Sequence, residues 1–504
     1  MSFYKIVCAA LTHAAFFHAF NAFNRNSLGY PRGMCMHRES ITPTVRSLLN
    51  GTWHDGTAGS ELLRDKFSGE VVSEIGLAAR AQVAEAARSA AAAAAAGAPG
   101  PHERGAILNR ASSLLLARRS QFVATMQTEA GFTESDAESE VNRCSQTLLL
   151  CAEEARRLCG EMVPMEGAPG QSGRLGFTLR VPLGVVCAIT PFNSPLNTVA
   201  HKIAPAFAAG NAVVLKPSLY TPQTANLLAE VLLEAGLPPG LLAVVHGGAE
   251  VGKWLLDERD IQFFAFTGST DVGRQIQRSI GLRRSQMELG SIAHTIVDAG
   301  SDIAASYRKA GQVCTSVQNL LVHRRELEPV VALLRDQVSS LKFGDPRMRG
   351  CTVGPLINEA AAIRVDAWIE EAVSQGARRL VGGGRIKSVV TPTLLTETSP
   401  QMKVRKEEVF GPVLSVVPFE RFEDALTIVN DSPYGLSTGV FTGMVQHALL
   451  AARSLKVGAV HINEASSSRA DLMPFGGSKD SGFGREGPRY AIREMSEERL
   501  VTFT

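Results

Sequence analysis

The sequence predicts an α/β protein, with a parallel sheet between layers of helices and more than one domain. Three observations predict it. From Gly184 onward, short apolar runs alternate with helical stretches, as successive strand–helix–strand units do. The 46 glycines and 24 prolines supply the many turns such a fold needs. A chain of 504 residues is too long for one small core, so two or three domains are expected.

The composition is that of an ordinary globular protein, 45% hydrophobic and 20% charged. A net charge of +2 gives no reason to expect nucleic acid or a membrane surface as partner. The eight cysteines form no CxxC pair and no Cys/His ligand spacing, so no metal is expected. They are too few for a disulfide scaffold of this size, which fits a reducing compartment, the cytoplasm.

Residues 1–40 stand apart as a poorly ordered or targeting-like extension. Ile6 to Phe20 is apolar but broken by Thr12, His13 and His18, and it is shorter than the roughly 20 residues a spanning helix needs. Lys5, Arg25, Arg32 and Arg38 are its charges, with no acid before Glu39.

The elements then follow in order. Leu49 to Gly56 reads as strand, turn and strand. Val83 to Ala96 is alanine-rich and helical, stopped by Gly97-Ala98-Pro99-Gly100. His102 to Gln127 continues helical, and Asp136 to Cys159 is a long helix ended by Gly160. Gly167 to Gly176, rich in Gly, Pro and Ser, reads as a protruding hairpin. Strands are expected at 184–189, 212–215, 242–245 and 262–266, with helices at 197–209 and 221–235 between them. A second α/β set has strands at 320–323, 413–417 and 459–462, and helices at 302–309 and 359–375.

Three residues carry the chemistry. Cys314, in Gly311-Gln312-Val313-Cys314-Thr315-Ser316, is a sulfur nucleophile among small and polar neighbours. Glu288, in Met287-Glu288-Leu289-Gly290, is a carboxylate able to activate water. Asn193, in Pro191-Phe192-Asn193-Ser194-Pro195, follows the 184–189 strand. Its NH₂ and the Cys314 backbone N–H can form an oxyanion hole. Such a set captures an aldehyde as a thiohemiacetal and later hydrolyses a thioester. Lys216 ends the strand 212–215, where ligands gather in open α/β sheets, and its ammonium suits ribose hydroxyls. Gly268-Ser269-Thr270-Asp271-Val272-Gly273 opens a helix, whose N–H groups and dipole favour a pyrophosphate.

These motifs, with Lys216-Pro217-Ser218, Glu407-Glu408-Val409-Phe410-Gly411-Pro412 and Pro474-Phe475-Gly476-Gly477-Ser478-Lys479, make the chain from about Ile41 to Thr504 resemble the aldehyde dehydrogenase superfamily. The resemblance implies a Rossmann-type dinucleotide domain at 41–160 and 183–287. It implies an α/β catalytic domain at 288–490 and a small β oligomerisation arm at 161–182 and 491–504. Oxidation of an aldehyde to the acid with NAD or NADP is the implied activity, in a homodimer or homotetramer. Lys216, Ser218, Gly268, Ser269, Thr270 and Gly273 would hold the dinucleotide. Glu408 would hold the nicotinamide ribose, with Phe410 beside the ring. Glu288 implies a free acid product, because the branch that passes the acyl group to coenzyme A lacks a glutamate there. Arg469 falls where the superfamily builds its substrate mouth, among small polar residues. It suits a small, polar or anionic aldehyde, unless an acid such as Asp471 neutralises it.

The chain departs from the superfamily's pattern in three places. Leu219 replaces an acid that would grip the ribose 2′-hydroxyl, which makes NADP admissible. Ser291 replaces a glycine near the cofactor's path. The segment between Glu288 and Cys314 is shorter than usual by about eight residues, which is about 12 Å of helix. The alternative that this shortening raises is a catalytically inactive relative that binds nucleotide or a protein partner.

Overall fold

The computed structural model describes residues 44–301 and 311–504. The extension expected at 1–40 and the helix expected at 302–309 lie outside the described residues. Five parallel strands form the centre of the first sheet: β1 (Val185–Ile189), β2 (Ala212–Lys216), β3 (Leu242–Val244), β4 (Ile261–Thr267) and β5 (Arg284–Glu288). Their order across the sheet is β5-β4-β1-β2-β3. The chain therefore reverses direction across the sheet between β1 and β4, and the crevice outside their carboxyl ends is where such sheets take ligands. The Ser47–Leu49 and Thr52–His54 hairpin extends one edge. Asn50 and Gly51 turn it with φ of 47° and 77°, the paired positive values of a tight hairpin turn. On the other edge, Gly482–Phe483 runs antiparallel to β5, so a late part of the chain completes this sheet.

Helices cover both faces. Val83, Ala86, Ala87 and Ala90 bury one stripe of Arg80–Ala96. The single helix expected over 102–127 is two helices, Pro101–Ala117 and Arg119–Glu129. Arg118 breaks it at φ −98° and ψ 16°, with its N–H still on the carbonyls of Leu114 and Leu115. Its side chain pairs with Glu230 and Glu234 on a neighbouring helix. No Gly or Pro marks this break, because a tertiary ion pair accompanies it. Two further helices position the site. α1 (Glu134–Arg157) is capped by Thr133, and α2 (Asn197–Ala208) is buried along its whole length.

The second sheet holds β6 (Ala293–Val297), β7 (Val317–His323), β8 (Val413–Phe419), β9 (Ser437–Phe441) and β10 (Ala459–Ile462), in the order β8-β7-β6-β9-β10. These strands are parallel. Residues 289–292 link the carboxyl end of β5 directly to the amino end of β6. The carboxyl ends of one sheet thus meet the amino ends of the other.

The third feature is a small sheet. Leu175–Pro182 pairs with Met162–Val163 on one side and with Ser496–Phe503 on the other, the latter over eight residue pairs. The hairpin expected at 167–176 is present. The helix Pro488–Glu494, just before the last strand, packs on the first core through Ile492.

Candidate active site

Strand register builds the site. Ala293 of β6 pairs with Val317 of β7, and Cys314 lies three residues before Val317. The cysteine is therefore carried to the 289–292 link that follows Glu288. Asn319 of β7 pairs with Ser415 of β8, which brings the segment before β8 to the same edge. Cys314, Ser291, Glu408 and Phe410 line one small cavity there.

The cysteine loop is held from several sides. Gln312 donates to the Pro355 carbonyl at 3.3 Å and accepts from the Ile357 N–H at 3.0 Å. Ser316 donates to the Gly311 carbonyl, and Ser466 to that of Thr315, each at 3.0 Å. Cys314 itself is half-buried. Burial pushes its thiol up to about 12, the Glu288 charge adds to this, and Arg469 opposes it. The resting sulfur is thus a thiol.

Glu288 ends β5 and is buried. Thr267 donates to its Oε2 at 3.3 Å, and its Oε1 meets no donor. Burial, followed by the neighbouring Glu486, pushes this carboxyl well above its usual range. Glu486 is the other member of the pair. Lys202 donates to its Oε1 at 3.0 Å, and Arg469 to its Oε2 at 2.6 Å. Burial raises Glu486, but the two cations outweigh it and hold this acid ionised, below the usual range.

Lys202 and Glu486 were not found from the sequence. The signal available for Lys202 was a lysine inside an otherwise apolar helix, where an unpaired charge is not tolerated. Arg469 was found, but its partner is Glu486. Asp471 pairs instead with Arg143 of α1, at 2.8 Å, and with Asn197 and His201 of α2, at 2.9 and 3.0 Å. The Arg469 guanidinium stacks 3.9 Å from the centre of the Phe475 ring, and its Nε has no partner.

Asn193 follows β1, half-buried, and makes no hydrogen bond among the described residues; in particular, none joins it to Cys314. Ser194, beside it, donates to Glu140 of α1 at 2.8 Å. Phe192 meets Phe410 edge-on at 5.9 Å, so the Asn193 loop packs on the segment that carries Glu408.

The residues expected to hold a dinucleotide divide into two groups. Lys216 ends β2 with its ammonium in no hydrogen bond or ion pair among the described residues, and burial lowers it to about 8. Glu408 accepts from the Ser291 N–H at 2.9 Å, and burial raises it to about 7. Phe410 stands beside it at φ 52°, a strained backbone for a bulky residue. Helix α3 (Thr270–Ser279) starts at the end of β4, capped by Ser269. Its first N–H groups point out of the sheet's carboxyl edge. These groups fit an anionic, hydroxyl-rich ligand.

The second group makes contacts within the protein. A Cβ on Gly268 would lie 2.5 Å from the Phe266 ring, and one on Gly273 2.4 Å from Leu289. Any larger residue at either glycine would have to shift these side chains. Thr270 donates to the Asp480 carbonyl at 3.0 Å and accepts from the Gly290 N–H at 3.2 Å. Ser218 accepts from the Tyr220 N–H at 3.2 Å. Leu219 packs on Val45, Leu63 and Ile75. Among the described residues no His, Cys, Asp and Glu cluster of metal-binding size occurs.

The model of the Aldehyde dehydrogenase family matches residues 53–501. The chain is 43% identical over 462 residues to a 3-sulfolactaldehyde dehydrogenase of Priestia megaterium, covering 90% of this chain and 96% of the relative. It superposes with a TM-score of 0.88, at 33% identity, on aldehyde dehydrogenase 21 from Physcomitrella patens, solved in complex with the reaction product succinate. That match covers 92% of this chain and 99% of the other. A TM-score of 0.88 at 31% identity relates it to the NADP-dependent glyceraldehyde-3-phosphate dehydrogenase of Bacillus halodurans complexed with NADP, covering 91% and 99%.

Proposed function

The chain belongs to the aldehyde dehydrogenase family and oxidises an aldehyde to the carboxylic acid with NAD or NADP; within that activity, we propose that Cys314 is the nucleophile, Glu288 the base that deacylates it, and a small anionic aldehyde the substrate. The register that carries Cys314 to the link after Glu288 is the observation that supports the first two roles most.

Cys314 adds to the aldehyde carbon, and its proton leaves the site as the C–S bond forms. The Asn193 amide and the Cys314 N–H stabilise the oxyanion. Bound NAD(P) supplies the oxidation, taking up the hydrogen and electron pair that the thiohemiacetal loses. Lys216 would hold the adenosine ribose, the start of α3 the pyrophosphate and Glu408 the second ribose. Glu288 then takes a proton from water. The hydroxide attacks the thioester, the C–S bond breaks, and the acid leaves.

The anionic substrate rests on Arg469, whose Nε lacks a partner, and on the sulfonate and carboxylate named for the two relatives above. Arg469→Gln tests it. The expected result is a KM for succinate semialdehyde or 3-sulfopropanal raised about tenfold or more, as loss of a charged hydrogen bond gives, with the KM for butanal nearly unchanged. Equal effects on charged and neutral aldehydes would remove Arg469 from the substrate site.

The small sheet serves oligomerisation in this reading. Leu175, Leu179, Leu500 and Phe503 leave apolar surface exposed on it, and Ser496–Phe503 is an unpaired edge. Leu500→Glu is expected to reduce the mass measured by light scattering. Among the described residues no helix is long and apolar enough to cross a membrane. The six described cysteines are all free, which supports a reducing compartment, the cytoplasm.

A further inference from the structure

Leu219 leaves the turn after β2 without an acid to grip a ribose 2′-hydroxyl, but an acid reaches this place from another strand. Ser60–Arg64 runs antiparallel to Val71–Gly76. Alternate residues of a strand point to one face. Leu63 and Ile75 cluster there with Val45, and Leu219 packs on that cluster. Glu61 comes two residues before Leu63 and lies directly opposite Ile75. It therefore projects from the face that Leu219 covers, as directly opposed strand residues hold their Cβ atoms about 5 Å apart. Glu61 and Leu219 line one cavity of about 450 Å³.

Lys216 lies three residues before Leu219, at the carboxyl end of β2. Burial lowers its ammonium, and Glu61 is the one carboxylate whose charge opposes this. The two are thus neighbours. Yet Glu61 is exposed, and among the described residues neither side chain enters a hydrogen bond or ion pair. A cation and an anion left apart at one edge suit the two hydroxyls of a ribose, which accept from the first and donate to the second.

We infer that Glu61 selects the dinucleotide: its carboxylate accepts from the 2′-hydroxyl of the adenosine ribose and repels a 2′-phosphate, so the enzyme prefers NAD to NADP. This rests on the reading that Lys216 holds that ribose. The acid missing from the turn after β2 is supplied across space by a strand more than 150 residues earlier. A 2′-phosphate brings a like charge and no donor, so the same group that binds one cofactor rejects the other.

The cavity also holds cations. Arg64 donates to the Gly69 carbonyl and Lys66 to that of Arg64, each at 3.0 Å, and the Lys66 ammonium lies 5.5 Å from the centre of the Tyr220 ring. Both are engaged within the protein, which leaves Lys387 as the cation a 2′-phosphate would draw.

The test is direct binding of NAD, NADP and the 2′-deoxyadenosine analogue of NAD to the full chain, by calorimetry. The expected result is NAD bound about tenfold or more tighter than either of the others, the scale of one charged hydrogen bond. Glu61→Gln should weaken NAD, tighten NADP and bring the three Kd values within about threefold of one another. Glu61→Lys should prefer NADP. Equal native affinities for NAD and NADP, or a ratio that Glu61→Gln leaves unchanged, would overturn the proposal. So would a native preference for NADP that Lys387→Gln abolishes. If Lys216→Met weakens both cofactors while Glu61→Gln leaves their ratio unchanged, only the role of Glu61 falls. If Lys216→Met changes neither affinity, the placing of the ribose falls with it.

Discussion

Lys202 and Glu486 lie 284 residues apart in the chain and 3.0 Å apart in the fold, and neither side chain has any exposed surface. A buried charge persists only if paired. The pair fixes α2, from the first sheet's helices, to the segment that follows Gly482–Phe483. Its ammonium also lowers the Glu486 carboxyl.

Lys202→Met should therefore destabilise the protein by about 3 kcal/mol, the low end for breaking a buried pair, because Arg469 still holds one oxygen. Glu486 is held below the usual carboxyl range, so its contribution to stability is full above that range and is lost as pH falls through the depressed value. Removing Lys202 raises that value. Acid unfolding, followed by circular dichroism, should begin at a higher pH in Lys202→Met. An unchanged acid midpoint would mean that the pair contributes nothing to the ionisation of Glu486.

Cys314 should react slowly while the protein is at rest. Burial holds its thiol up near 12, so its alkylation by iodoacetamide should rise about tenfold per pH unit between pH 7 and 10, following the thiolate fraction. Peptide mass mapping reads the rate at this one cysteine. A plateau near pH 8 would show a thiolate already activated in the free enzyme.

Leu219→Glu should turn cofactor choice toward NAD, by repelling a 2′-phosphate and by bonding ribose hydroxyls. The native side chain packs on Val45, Leu63 and Ile75. The substitution should also cost about 1–2 kcal/mol of stability, the range of a partly buried apolar side chain lost. Direct binding of NAD and NADP, measured by calorimetry, should show the ratio moving about tenfold or more. An unchanged ratio would place Leu219 away from the ribose.

Much of this site was legible because its parts follow strands. Lys216, Asn193 and the loop before α3 lie at the carboxyl ends of β2, β1 and β4, which apolar runs mark in the sequence, whereas Glu288 ends the polar strand β5 and was legible from its motif alone. Cys314 and Glu408 were legible from their motifs. Lys202 and Glu486 were not, since a buried lysine is explained only by a partner hundreds of residues away. The true partner of Arg469 was hidden for the same reason. Asp471, two residues on, was the local candidate, yet Arg143, Asn197 and His201 occupy it. The closeness of Gly268 to the Phe266 ring and of Gly273 to Leu289 was not legible in the sequence. The break at Arg118 left no local mark.

The central claim is that Cys314 is acylated and that Glu288 releases the acyl group. Rapid-mixing kinetics of Glu288→Gln with a saturating aldehyde and dinucleotide test it most directly. The account predicts a burst of reduced cofactor close to one per active site, followed by steady turnover slower than native by about 100-fold or more, as loss of a general base gives. A uniform slowing with no burst, or native steady turnover, would contradict it.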